Sequence, residues 1–159
     1  MSILLKNATI VDGKSNLNFK TKDILINDGD IVDIADTINT KASQTIKLEN
    51  LHVSRGWMDT SVCFGEPGFE ERETISNGLE TAASSGFTSI LLNPNCDPVI
   101  DNHSSIEFLK RKSAETTTEI YPIGSLTNNS KGEELASLFD MKVAGAVAFG
   151  DYKQTVKDT

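Results

Sequence analysis

Three short stretches hold the residues that could do chemistry. Ser61-Val62-Cys63 places a hydroxyl and a thiol two residues apart, and on a strand such a pair shares one face. Pro94-Asn95-Cys96-Asp97-Pro98 adds an amide and a second thiol, and Gly150-Asp151-Tyr152-Lys153 adds a carboxylate. If these stretches end neighbouring strands, Cys63, Cys96 and Asp151 are the candidate metal ligands, because thiolate and carboxylate both bind zinc. The plainer expectation is that the two thiols are reduced and behave as small buried hydrophobes. Nucleophilic catalysis by Ser61 or Cys63 would need a general base within reach. No motif places His52 or His103 there, so both read as surface or cap-region residues. Asp59 is a lone carboxylate that could equally be hydrogen-bonded structure. Asn95 is the candidate ligand-binding residue, although Asn and Pro also simply make turns.

The elements that must position these groups fall into two regimes. The first fifty residues read as short strands: Ile3-Leu4-Leu5 and Thr9-Ile10-Val11 around a polar break, then Asp23–Ile26, Ile31–Ile34 and Thr45–Leu48. Asn27-Asp28-Gly29-Asp30 between two β-branched runs is a hairpin signal, since the tight primed turn needs positive φ at its centre. From residue 53 the rhythm changes to alternating strand and helix with a period near thirty residues, the mark of parallel βαβ construction. Strands are expected within 53–64, 87–92, 120–126 and 144–149. Helices are expected over 70–85, with Glu70, Glu71 and Glu73 in its first turn and Gly86 closing it, over 104–114 from a Ser104–Glu107 capping box, and over 133–139. Four strands fall well short of the roughly 250 residues of an eight-stranded barrel. A half barrel completed by further chain or by a partner is favoured over a small open α/β domain, whose edges would lie bare.

Composition narrows the class. The net charge of -8, from 23 acidic against 15 basic side chains, repels phosphate backbones, so nucleic acid is excluded as a partner. Two cysteines are too few for a secreted disulfide framework. No apolar run approaches the ~20 residues of a membrane span, and the start lacks the parts of a signal peptide. A cytoplasmic protein without a membrane is the expectation.

The stretch Gly56-Trp57-Met58-Asp59-Thr60-Ser61-Val62-Cys63-Phe64-Gly65-Glu66-Pro67-Gly68 resembles the first barrel strand of bacterial dihydroorotases. That family, part of the amidohydrolase superfamily, reads Gly-Phe-Ile-Asp-x-His-x-His-x-Arg-Glu-Pro-Gly there. The resemblance continues through Glu71–Ile75, Ala82–Thr88, Pro94–Asp101, Pro122–Thr127, Lys131–Leu135 and Ala144–Phe149, and so covers nearly the whole chain in order. It implies part of a small β-sandwich at 1–52, then the first half of a TIM-type (β/α)8 barrel at 53–159.

The resemblance further implies metal-assisted hydrolysis of a cyclic amide, in which two histidines hold zinc while an arginine and the asparagine of the Pro-Asn-Thr turn hold the substrate carboxylate. The departures fall on that chemistry. Ser61 and Cys63 stand at the histidine positions and Gly65 at the arginine position. Serine is a poor zinc ligand, and glycine cannot offer the guanidinium fork that a carboxylate requires. Asn95 and Asp151 are retained, but the neighbour of Asp151 and the turn glycine are replaced by Tyr152 and Lys153. A pyrimidine-pathway pseudoenzyme is therefore expected, with no catalytic residue and no zinc in this chain. Its role would be scaffold or regulator, by self-association or beside an aspartate transcarbamoylase-like partner. The alternative is an active cyclic-amide hydrolase whose altered metal set is completed by residues beyond 159.

Overall fold

A computed structural model of the protein describes residues 1–157. They fall into two compact units that part between Arg55 and Gly56.

The first unit is one five-stranded sheet. β1 (Ser2–Val11) pairs antiparallel with β2 (Thr21–Asn27), which pairs antiparallel with β3 (Asp30–Ala35). Two short strands, β4 (Gln44–Ile46) and β5 (His52–Ser54), run parallel to β1 at successive positions along it. The expected hairpin is present, with Asp28 at φ 49° and Gly29 at φ 96°. The polar break expected to separate two strands is instead a bulge within β1: register shifts between Leu5 and Ala8, and Asn7 takes φ 55°. A bulge absorbs a residue without ending the strand. The core of this unit is small, built on Ala8, Ile10 and Ile24.

Its polar anchor is Asp23, 1% exposed. The carboxylate accepts from Asn7 N at 3.0 Å and Ile38 N at 2.8 Å and pairs with the Lys6 ammonium. Burial opposes its ionisation, but the Lys6 ammonium and the two backbone N–H groups outweigh that and hold its pKa down to about 2. A carboxylate whose pKa falls on folding stabilises the fold above its unfolded pKa of about 3.9, and that contribution is lost as pH falls toward 2. Asp23→Ala is expected to cost about 2–3 kcal/mol at neutral pH, by leaving the N–H groups of Asn7 and Ile38 unpaired and taking the carboxylate from the half-buried Lys6 ammonium. It should also flatten the acid limb of the stability curve between pH 4 and about 2. Urea titrations at a series of pH values read both, and an unchanged acid limb would refute the assignment.

The second unit alternates strand and helix. In chain order it comprises β6 (Trp57–Val62), α1 (Ile75–Ser84), β7 (Phe87–Leu92), α2 (His103–Ser113), β8 (Glu119–Gly124), α3 (Leu138–Ala144) and β9 (Ala148–Phe149). The sheet is parallel throughout, in the order β6-β7-β8-β9. That order never reverses. A doubly wound sheet has a switch point where it does, whereas a barrel adds strands consecutively. Helix and sheet meet in a core of Ile75, Leu79, Ile90, Leu92, Ile106, Leu109, Ile120 and Met141. Large apolar side chains stay bare at both ends of this layer, Trp57 at 60% on β6 and Phe139 at 79% on α3, as in part of a barrel.

Three helix starts differ from expectation. α1 begins at Ile75 behind the N-cap Thr74, so the acidic run 70–73 lies ahead of the helix. That run belongs to a turn closed by Phe69 N to Gly65 O and by Gly65 N and Glu66 N to Glu73 O. α2 is capped by Asn102, whose Oδ1 accepts from Ser105 N, and not by Ser104; Asn and Ser are comparable caps, and the spacing fits either. The third helix runs 138–144 and not 133–139, because the preceding residues pair back on themselves through a Thr127–Leu135 bridge. Gly86 closes α1 at φ 88°, as expected.

Candidate active site

Neighbouring parallel strands deliver their C-terminal ends to one side of the sheet. Val62 pairs with Leu92, so the residues that follow β6 and β7 meet there. Ser61 and Cys63 are both exposed at this end. Between them lies Asn93, which sequence reasoning overlooked. Its backbone N donates to Val62 O at 2.9 Å. Its side-chain Nδ2 reaches Ser61 Oγ at 3.2 Å, Val62 O at 3.1 Å and Cys63 Sγ at 3.6 Å. The available signal was its spacing: two residues before Asn95 at a strand end, it shares that end of the sheet. Asp59 is structural in this geometry, its Oδ1 accepting from Ser61 N at 3.0 Å.

Position 65 is closed by backbone. A Cβ on Gly65 would stand 1.8 Å from Phe69 O and 3.2 Å from Arg72 Cβ. The loop is tied further by Glu66, which accepts from Ile75 N at 2.8 Å and pairs with Lys112 at 2.9 Å. Burial works against the charge on Glu66, yet Lys112 and the Ile75 N–H keep its pKa below the ordinary value. Asp97 N donates to Pro67 O at 3.0 Å, joining this loop to the one after β7. The nearest guanidinium in the loop, Arg72, stacks 4.2 Å from the Phe69 ring centroid.

The remaining candidates separate. Asn95 Oδ1 is buried and has no hydrogen-bond partner among the described residues. Cys96 is buried in the core, its thiol 3.4 Å from Pro98 O, and burial pushes its pKa up to about 11. Asp151 is also buried, and its oxygens face Ser125 Oγ at 2.8 Å, Thr127 N at 2.9 Å and Thr127 Oγ1 at 2.6 Å. His103 opens α2, with Nδ1 3.2 Å from Asp140 O, and His52 lies in the first unit, with Nδ1 2.6 Å from Asn50 O. The structure does not gather Cys63, Cys96 and Asp151: among the described residues, no three His, Cys, Asp or Glu side chains are grouped to hold a metal ion.

A family model described as dihydro-orotase-like matches residues 51–159. The chain belongs to that family. A dihydroorotase of Pelotomaculum thermopropionicum is 43% identical over 151 residues, 95% of this chain and 35% of that protein. One of Acetivibrio thermocellus is 38% identical over 158 residues, 99% of this chain and 37% of that one. The chain thus spans about a third of the length of these relatives. Among solved structures, the L-hydantoinase (dihydropyrimidinase) from Arthrobacter aurescens superposes with a TM-score of 0.73 at 23% identity, over 92% of this chain and 32% of that one. A dihydroorotase superposes at 0.63 and 16% identity, over 93% and 41%. These folds are TIM-barrel amidohydrolases, so the parallel sheet of this dihydro-orotase-like chain is a partial (β/α)8 barrel. No helix among the described residues is long and apolar enough to cross a membrane.

The zinc implied by the family does not fit the residues that this chain supplies. Ser61 and Cys63 do not form a histidine pair, an amide lies between them, and among the described residues neither Cys96 nor Asp151 joins them in a group that could hold a metal ion.

Proposed function

We propose that this chain belongs to a dihydroorotase homologue without hydrolytic activity, which acts as a scaffold or regulatory partner in pyrimidine biosynthesis. The observation that carries the proposal is the strand end itself: Ser61, Cys63 and Gly65 stand where the resemblance puts two metal ligands and the carboxylate-binding arginine. In the family's chemistry, hydroxide at neutral pH comes from a metal that lowers the pKa of its bound water, and the described residues group no ligand set for one. The supporting role would run through self-association or an aspartate transcarbamoylase-like partner. Asn95, with its unpartnered acceptor, is the residue that would still meet a small ligand.

Metal content and turnover of the purified protein, in the longest form its gene encodes, test the proposal together. Zinc well below one per chain and no hydrolysis of dihydroorotate are expected. One tightly held zinc per chain that disappears in Cys63→Ala would instead support an active cyclic-amide hydrolase. In that case the exposed Cys63 thiol would be a replacement ligand, completed by residues outside this chain.

A further inference from the structure

We propose that the Asn93 carboxamide has taken the metal's place, tying the ends of β6 and β7 together where the family's histidine pair would bind an ion. The inference rests on the inactive reading above and names the residue that enforces it. Nδ2 lies 3.2 Å from Ser61 Oγ and 3.6 Å from Cys63 Sγ, between the two side chains at the histidine positions. It also reaches Val62 O at 3.1 Å, so three acceptors converge on one amide nitrogen. A divalent ion and an N–H donor serve the same acceptors and exclude each other. Zinc sits about 2.0–2.3 Å from its ligand atoms. An ion bridging positions 61 and 63 at such distances would press against Nδ2 and its hydrogens. The amide can be displaced only by breaking its contacts to Ser61, Val62 and Cys63 at the end of β6. Asn93 is thus a positioning residue that preorganises this end of the sheet without a metal.

Cobalt titration of metal-stripped protein tests this directly. Ser61→His creates a His-x-Cys pair at the end of β6. With Asn93 in place, this variant should bind cobalt(II) weakly. Ser61→His combined with Asn93→Ala should bind at least tenfold more tightly, with the thiolate-to-cobalt charge-transfer band that reports ligation by Cys63. Equal affinities in the two folded variants would overturn the proposal. Hydrogen exchange of the Asn93 side-chain amide in the unmutated chain supplies a second readout that does not depend on folding of the variants. Exchange slower than that of the exposed Asn16 side chain is expected, and exchange as fast would refute the tie. Zinc content and turnover of the unmutated protein bear on the inactive reading alone, so the two ideas can fail separately.

Discussion

Asp151→Ala is expected to destabilise the second unit by about 2–4 kcal/mol, because it leaves buried N–H and O–H donors without their acceptor at about 1–3 kcal/mol each. The residue is 6% exposed, and its two oxygens meet Ser125 Oγ, Thr127 N and Thr127 Oγ1 within 2.9 Å. These contacts join the end of β9 to the segment after β8. Thr127 Oγ1 in turn accepts from Gly132 N at 2.8 Å, so truncation loosens that segment as well. Asp151→Asn should cost less. The amide can still accept from Thr127 N, but its NH2 meets a hydroxyl that currently donates to Oδ2. Burial raises the pKa of Asp151, and the Thr127 and Ser125 donors more than reverse that, leaving it below the ordinary value. Its contribution is therefore full above the unfolded carboxylate range and lost as acid protonates the folded state. Trp57 is the only tryptophan, and it packs edge-on at 5.8 Å from Phe87, so its fluorescence follows this unit through a urea titration. A loss under about 1 kcal/mol for Asp151→Ala, the net worth of a single ordinary hydrogen bond, would contradict the role.

This role shows where the sequence was legible and where it was not. The alternation of strands and helices, the Asp28-Gly29 hairpin and the stop at Gly86 could all be read in advance, because each depends on local periodicity or on one residue's φ. The start of α1 could not. Glu70, Glu71 and Glu73 suit a first helical turn electrostatically, but hydrogen bonds from Gly65 and Glu66 to Glu73 O hold them in a loop. That is a tertiary effect with no local signature. The same limit applies at the site. Ser61 and Cys63 could be placed on one strand face by their spacing, and the resemblance identified what they replace. That Asn93 lies between them depends on the register of β6 against β7, which no single stretch encodes. Asp151 was legible as a carboxylate near the site, but which way it faces depends on Ser125 and Thr127, more than twenty residues earlier.

Gly65→Arg, which supplies the residue that the resemblance puts at this position, is expected to weaken the fold and gain no affinity for dihydroorotate. The obstacle is distance rather than torsion, since Gly65 is not among the glycines with positive φ. Its Cβ would stand 1.8 Å from Phe69 O and 2.7 Å from Phe69 C, separations that only a backbone shift can relieve. Phe69 O cannot retreat freely: it accepts from Arg72 N at 3.0 Å, and Phe69 N is bonded to Gly65 O at 3.0 Å. Even Gly65→Ala should therefore cost about 2–3 kcal/mol, near the top of the range for forcing atoms into a packed site. Arginine adds a charged chain to the same clash. The three-fold variant Ser61→His, Cys63→His, Gly65→Arg should consequently fail to bind dihydroorotate by calorimetry even with zinc supplied, because the loop that must present the guanidinium is closed on itself. Were Gly65→Arg as stable as the parent and able to bind the carboxylate, the departure at this strand end would be one of side chains alone, reversible by substitution. If it unfolds the loop as expected, the backbone has been rebuilt around the glycine, and the route back to a substrate-binding site runs through residues 65–73 as a unit.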